Sequence, residues 1–184
     1  MKNVTIKAII GGDGAVGKTS LVRAFMQDEF KKDYLLTVGV DVTSKSLEIG
    51  DAKVILSVND IAGQPRFETF RGVFFKGAAI AFLCFDLTRD QTLKSLTSAW
   101  VPELATQSDP NSPIHCVLVG NKSDLEDLRS ISEQEAQAEL KKMKKSFPNL
   151  KFIDYIETSA LNRKNVDEAF SILTKAFLKF KGML

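Results

Sequence analysis

Apolar residues in this chain gather in short runs, separated by longer stretches where they recur at helical spacing. The runs are Val4 to Ile10, Val54 to Val58, Ala78 to Phe85, Cys116 to Val119 and Phe152 to Ile156. They are short and rich in Val, Ile and Phe, which predicts buried strands rather than helices. A more polar stretch, Val40 to Ile49, predicts a strand at the sheet edge. Helices are expected from Lys18 to Met26, Thr92 to Ser108, Ser132 to Ser146 and Val166 to Lys179. Ser132 suits an N-cap, Glu133 and Glu135 complement the helix dipole, and Pro148 marks the stop. This alternation predicts an α/β fold: a six-stranded, mostly parallel sheet with helices on both faces. In such sheets ligands bind at the carboxyl ends of the strands, and the informative residues fall there.

Composition narrows the partners. The chain has 184 residues, 25 basic against 23 acidic, for a formal net charge of +2. That length fits one domain spanning 1–184, and the near-neutral balance provides no field for nucleic acid or membrane. The lysines at 141, 142, 144 and 145 read as a solvated helix end whose cations complement the last carbonyls. Cys84 and Cys116 lie inside apolar runs and are expected to be buried and reduced. No apolar stretch reaches the roughly 20 residues of a membrane span. With Lys2 and the KFKGML tail there is no myristoylation or prenylation signal, so the chain is expected to be cytoplasmic. It would be peripheral to membranes if the natural carboxyl terminus extends further. His115 and Trp100 read as structural residues rather than catalytic or docking ones.

After the first strand comes Gly12-Asp13-Gly14-Ala15-Val16-Gly17-Lys18-Thr19, a complete G-x-x-x-x-G-K-[ST] motif. The glycines let backbone N–H groups from Asp13 to Ser20 turn inward as an anion nest at a helix N-terminus. Lys18 adds charge at the β- and γ-phosphates, and the Thr19 hydroxyl suits Mg²⁺. After the third strand, Asp60 is placed to hold Mg²⁺. Gly63 can bring a backbone N–H to the γ-phosphate, and Gln64 can orient an attacking water.

Asn121-Lys122-Ser123-Asp124 ends another strand. A carboxylate at Asp124 can accept from the N1–H and 2-amino groups of guanine; adenine would leave it unpaired. The Lys122 stem can lie over the base, and the Asn121 amide can tie this loop to the glycine-rich loop. Thr158-Ser159-Ala160, with Leu161 after them, offers backbone that can approach guanine O6.

Together these motifs resemble the Ras superfamily of small GTPases from end to end. Thr37-Val-Gly-Val-Asp41, Gly63-Gln64-Pro-Arg-Phe67, Glu157-Thr-Ser-Ala-Leu161 and Asn165-Val-Asp-Glu-Ala-Phe170 look most like the Rab branch. The resemblance implies a GTP/GDP switch that slowly hydrolyses GTP with Mg²⁺. It implies Thr37 as the switch I threonine on Mg²⁺ and Phe30 as the aromatic residue beside the guanine. Residues 28–41 and 61–77 would be the switches, meeting effector, activating and exchange proteins. The protein is expected to act as a monomer, without nucleic acid.

The chain departs from that pattern at several points. Pro65 follows Gln64 where the family usually has an acidic residue, and a proline pushes the preceding residue towards extended conformations. Pro65 is therefore expected to alter hydrolysis or its response to an activator. Asn59 stands where Rab proteins usually carry tryptophan, and Leu161 where lysine is common. Arg66 and Arg71 are expected on the surface of switch II rather than as catalytic fingers. The alternative reading is a nucleotide-locked GTP/GDP-binding module with little hydrolysis. An ATP-using P-loop kinase lacks its arginine-bearing lid here and conflicts with Asp124.

Overall fold

The computed structural model describes residues 2–27 and 39–184. Its strands are β1 (Lys2–Gly11), β2 (Val40–Ile49), β3 (Ala52–Ile61), β4 (Ile80–Asp86), β5 (Ile114–Asn121) and β6 (Leu150–Glu157). They form one six-stranded sheet in the order β2-β3-β1-β4-β5-β6. β2 runs antiparallel to β3, and the other neighbours are parallel. The polar run over 40–49 is indeed an edge strand. The all-apolar runs of β4 and β5 are central and buried along their whole length.

Side chains alternate across the pleat, so each strand feeds two cores. On one face Ile6, Ala8 and Ile10 of β1 meet Leu21, Val22 and Phe25 of α1 (Lys18–Met26). Phe170, Leu173 and Phe177 of α6 (Val166–Phe180) complete that core, with Phe25 and Phe170 stacked at 3.8 Å. On the other face Ile9, Leu83, Phe85 and Leu118 meet α2 (Glu68–Phe75), α3 (Asp90–Ser95), α4 (Val101–Ala105) and α5 (Glu133–Ser146). Cys84 and Cys116 are both free thiols, fully buried, and burial pushes the Cys84 thiol up to about 12.

The helix expected over 92–108 is observed over 90–105, interrupted by one wide π turn at Leu96–Trp100. Pro102 explains the interruption: it has no N–H to give the preceding turn, and the wider turn absorbs the missing bond. α5 starts with a complete capping box between Ser132 and Glu135, worth about 1 kcal/mol. α2 has no counterpart among the sequence-derived helices. Gly72 in its interior and Pro65 just ahead weaken the local signal, and its stability comes from Arg71 and Phe75 buried against the body of the protein. His115 is buried between Phe177 and Phe180, a packing position. Among the described residues no helix is long and apolar enough to cross a membrane.

Candidate functional site

The carboxyl ends of β1, β3, β4, β5 and β6 converge on one edge of the sheet, where the loops carrying the motifs meet. After β1 the backbone turns through positive φ at Gly12 (141°), Ala15 (63°) and Gly17 (96°) before α1 begins. Close packing also requires glycine at two of these points. A Cβ on Gly12 would lie 2.0 Å from the Cys84 carbonyl oxygen, and one on Gly17 2.2 Å from Asn121 Nδ2. The loop thus curls with its N–H groups at the start of α1, where the helix dipole favours an anion.

Lys18 is buried, and its ammonium donates to the carbonyls of Gly12 (2.7 Å) and Asp13 (2.9 Å). Burial lowers its pKa; the nearby Asp60 and Asp13 carboxylates pull the other way, and Arg89 adds to the lowering. Thr19 Oγ1 donates to Asp60 Oδ2. Among the described residues the buried Asp60 Oδ1 has no hydrogen-bond partner, and burial raises this carboxyl's pKa. A hydroxyl beside a half-satisfied buried carboxylate is a donor set suited to a hard divalent cation such as Mg²⁺. Among the described residues no group of three or more His, Cys, Asp and Glu side chains gathers to hold a metal by itself.

Gly63 lies directly on the loop. Gly14 N–H donates to Gly63 O at 3.1 Å, and a Cβ on Gly63 would come within 2.4–2.5 Å of loop backbone atoms. Gln64 is extended (φ −80°, ψ 141°), as the following Pro65 favours, and Pro65–Phe67 forms a single 3-10 turn leading into α2. Arg66 is exposed, but Arg71 is not the surface residue expected. It is 5% exposed, donates to Glu103 (2.8 Å) and Glu68 (3.1 Å), and lies 4.1 Å from the centre of the Trp100 indole. Trp100 in turn donates to Asp13 Oδ1 at 2.9 Å, joined there by Ser95 at 2.7 Å.

A cleft of about 240 Å³ opens beside this loop, lined by Gly17, Ser20, Asn121, Lys122, Asp124, Leu125, Ala160 and Leu161. Its walls are braced by hydrogen bonds. Asn121 Nδ2 donates to Val16 O at 2.9 Å, and its Oδ1 accepts from Thr158 at 3.1 Å. Ser159 Oγ donates to Asp124 Oδ1 at 2.6 Å. Behind them Arg129 grips Glu157 through both guanidinium arms and holds its carboxyl below the usual range.

Two residues here were not singled out from the sequence. Asp86, at the end of β4, accepts from Lys122 Nζ (2.6 Å) and from Arg89 Nε (3.1 Å) on the same oxygen. Its other oxygen accepts from the backbone and hydroxyl of Thr88. Arg89 reaches on to the Gly14 carbonyl at 3.0 Å. Asp86 carried the same signal as Asp60 and Asn121, a polar residue ending an apolar strand. The expected Phe30 and Thr37 lie outside the described residues.

A model of the Ras family matches residues 7–179. The chain is 38% identical to the Ras-related protein RABA6b of Arabidopsis thaliana over 164 residues, spanning 89% of this chain and 67% of that protein. It is 36% identical over 185 residues to the Ras-related protein Rab-7a of Dictyostelium discoideum, spanning 100% of this chain and 87% of that one. The Ras-related protein RABA4b of Arabidopsis thaliana is 35% identical over 167 residues, 91% and 70% of the two chains. The strand order, the motifs at the strand ends and these relatives lead to one conclusion: the chain belongs to the Ras family and is a Rab-like GTPase.

Proposed function

We propose that residues 1–184 form one G domain that binds GTP and GDP with Mg²⁺, hydrolyses GTP slowly, and signals the difference through residues 28–41 and 61–77. The observation that carries this reading is the contact between Gly63 and the glycine-rich loop: Gly14 N–H is held by a carbonyl from the segment that must sense the γ-phosphate. A ligand phosphate competing for that N–H would displace Gly63 and, with it, Gln64 and α2.

In this reading Gly12 to Ser20 supply the phosphate nest, and Lys18 turns from loop carbonyls to phosphate oxygens. Asp124 reads the guanine edge, with Ser159, Ala160 and Leu161 at its O6 side and Phe30 at its flank. Asn121 and Lys122 hold that loop in place. Thr19, Asp60 and Thr37 would hold Mg²⁺, which when bound neutralises phosphate charge. Gln64 orients the water that attacks the γ-phosphate. Catalysis by positioning and charge neutralisation is slow without help, and an arginine supplied by a partner accelerates such reactions by about 10³–10⁵-fold. Membership of the Ras family supports effector, activating and exchange proteins as partners; the place of action in this reading is the cytoplasm, peripheral to membranes if the natural carboxyl terminus extends further.

A second reading, a nucleotide-locked module, rests on the extended backbone of Gln64 ahead of Pro65. Single-turnover hydrolysis with Mg²⁺ separates the two. The switch predicts phosphate release from GTP but not ATP, slowed by Gln64→Leu. Tight GTP binding with no release would support the locked module, and equal use of ATP would reject both.

A further inference from the structure

The bonds around Asp86 and Arg89 join the two ends of the site, and nothing in the motif readings uses them. Asp86 has an almost fully buried side chain, while Arg89 is 43% exposed. Arg89 has Nε on the carboxylate and Nη2 on the Gly14 carbonyl. A planar guanidinium bound at two points is fixed in direction as a lysine ammonium would not be. The carboxylate that anchors it also holds Lys122.

The carbonyl that Arg89 engages belongs to the peptide linking Gly14 to Ala15. The other end of that peptide is the Ala15 N–H, set in the curled loop by the positive φ of Ala15. A cation on the carbonyl end draws electron density along the planar amide and makes its N–H a stronger donor. It also resists rotation of a peptide that an αL residue leaves under strain.

We propose that Arg89 is a positioning residue for phosphate binding, its guanidinium braced on Asp86 and holding the Gly14–Ala15 peptide with its N–H aimed into the phosphate nest. This rests on the nucleotide-binding reading above. It predicts that Arg89 acts on the phosphates and not on the base, although its anchor also supports the base loop.

The test compares wild type, Arg89→Ala and Arg89→Lys for affinity towards GDP and GMP by competition, with the Ala15 amide followed by NMR in the GDP-bound protein. Arg89→Ala should weaken GDP by about tenfold, the size of one charge-assisted hydrogen bond. GMP, which lacks the β-phosphate, should be weakened clearly less. The Ala15 amide proton should move upfield as its hydrogen bond loosens, and Arg89→Lys should recover only part of each change. Equal losses for GDP and GMP, or an unmoved Ala15 resonance, would make Arg89 a general brace and overturn the proposal. If Arg89→Ala fails to fold, Arg89→Lys decides: full wild-type behaviour there overturns it too. Failure of wild type to bind GDP at all would instead reject the nucleotide-binding reading.

Discussion

The two ends of the candidate site are built on opposite terms. At the base end the polar groups are paired with protein and leave a cleft open: Asn121 with Val16 and Thr158, Asp124 with Ser159, Lys122 with Asp86, Glu157 with Arg129. At the phosphate end the groups that would meet a ligand are occupied by one another. Lys18 sits on loop carbonyls, Thr19 on Asp60, and Gly14 N–H on Gly63, while one buried Asp60 oxygen has no partner among the described residues. A frame that keeps its bonds on binding gives selectivity at little cost in reorganisation. A frame that must exchange its bonds changes shape with the ligand, which is what a switch requires.

Removing Asp124 tests the first half of this contrast and has the largest expected effect. A site built to hydrogen-bond a group rejects an analogue lacking it by about 10⁴-fold or more. Wild type should prefer GDP to ADP by that order, and Asp124→Ala should cut the preference to about tenfold, measured by competition binding. Next comes Lys18→Ala at the other end. Losing a charge-assisted contact to phosphate should weaken GDP and GTP alike by roughly 100-fold, with guanine preference retained.

Gly17→Ala tests whether the ends are mechanically joined. Its Cβ would meet Asn121 Nδ2 at 2.2 Å on a backbone at φ 96°, so Asn121 must release Val16. Stability should drop by about 2 kcal/mol in urea unfolding, and both phosphate affinity and guanine preference should suffer. The smallest effect is that of Asp86→Asn. Burial alone would raise the Asp86 pKa, but hydrogen bonds from Lys122 and Thr88 outweigh it and hold the carboxyl below its ordinary 3.8. A depressed pKa contributes stability above the unfolded value that disappears as pH falls through the folded one. The gap between wild type and Asp86→Asn should therefore be about 1–2 kcal/mol at pH 7 and close below about pH 3.8.

Much of this architecture was legible in the residues. Five of the six strands announced themselves as apolar runs, most plainly β4 and β5, which lie inside the sheet and are buried on both faces, while β2, at one sheet edge, stood apart as more polar. The loop after β1 and the segments at Asp60 and Asn121 stood out by residue type and spacing, and the fold brings them together at one edge of the sheet. What stayed hidden depends on contacts distant in sequence. α2 is held by Arg71 reaching across to Glu103 and the Trp100 ring, and no local periodicity encodes a partner on another helix. Trp100 was legible as a core residue, yet its hydrogen bond to Asp13 was not, since it depends on where the π turn before Pro102 aims the indole. Asp86 and Arg89 were hidden for the same reason: their meaning lies in the loops that the fold brings to them.

The most direct test of the contrast is amide hydrogen exchange on the protein loaded with GDP and then with a non-hydrolysable GTP analogue. The account predicts that residues 60–75 and Gly14 change protection between the two states, while 121–124 and 158–160 exchange alike in both. Equal change at the base loops, or no change over 60–75, would contradict it.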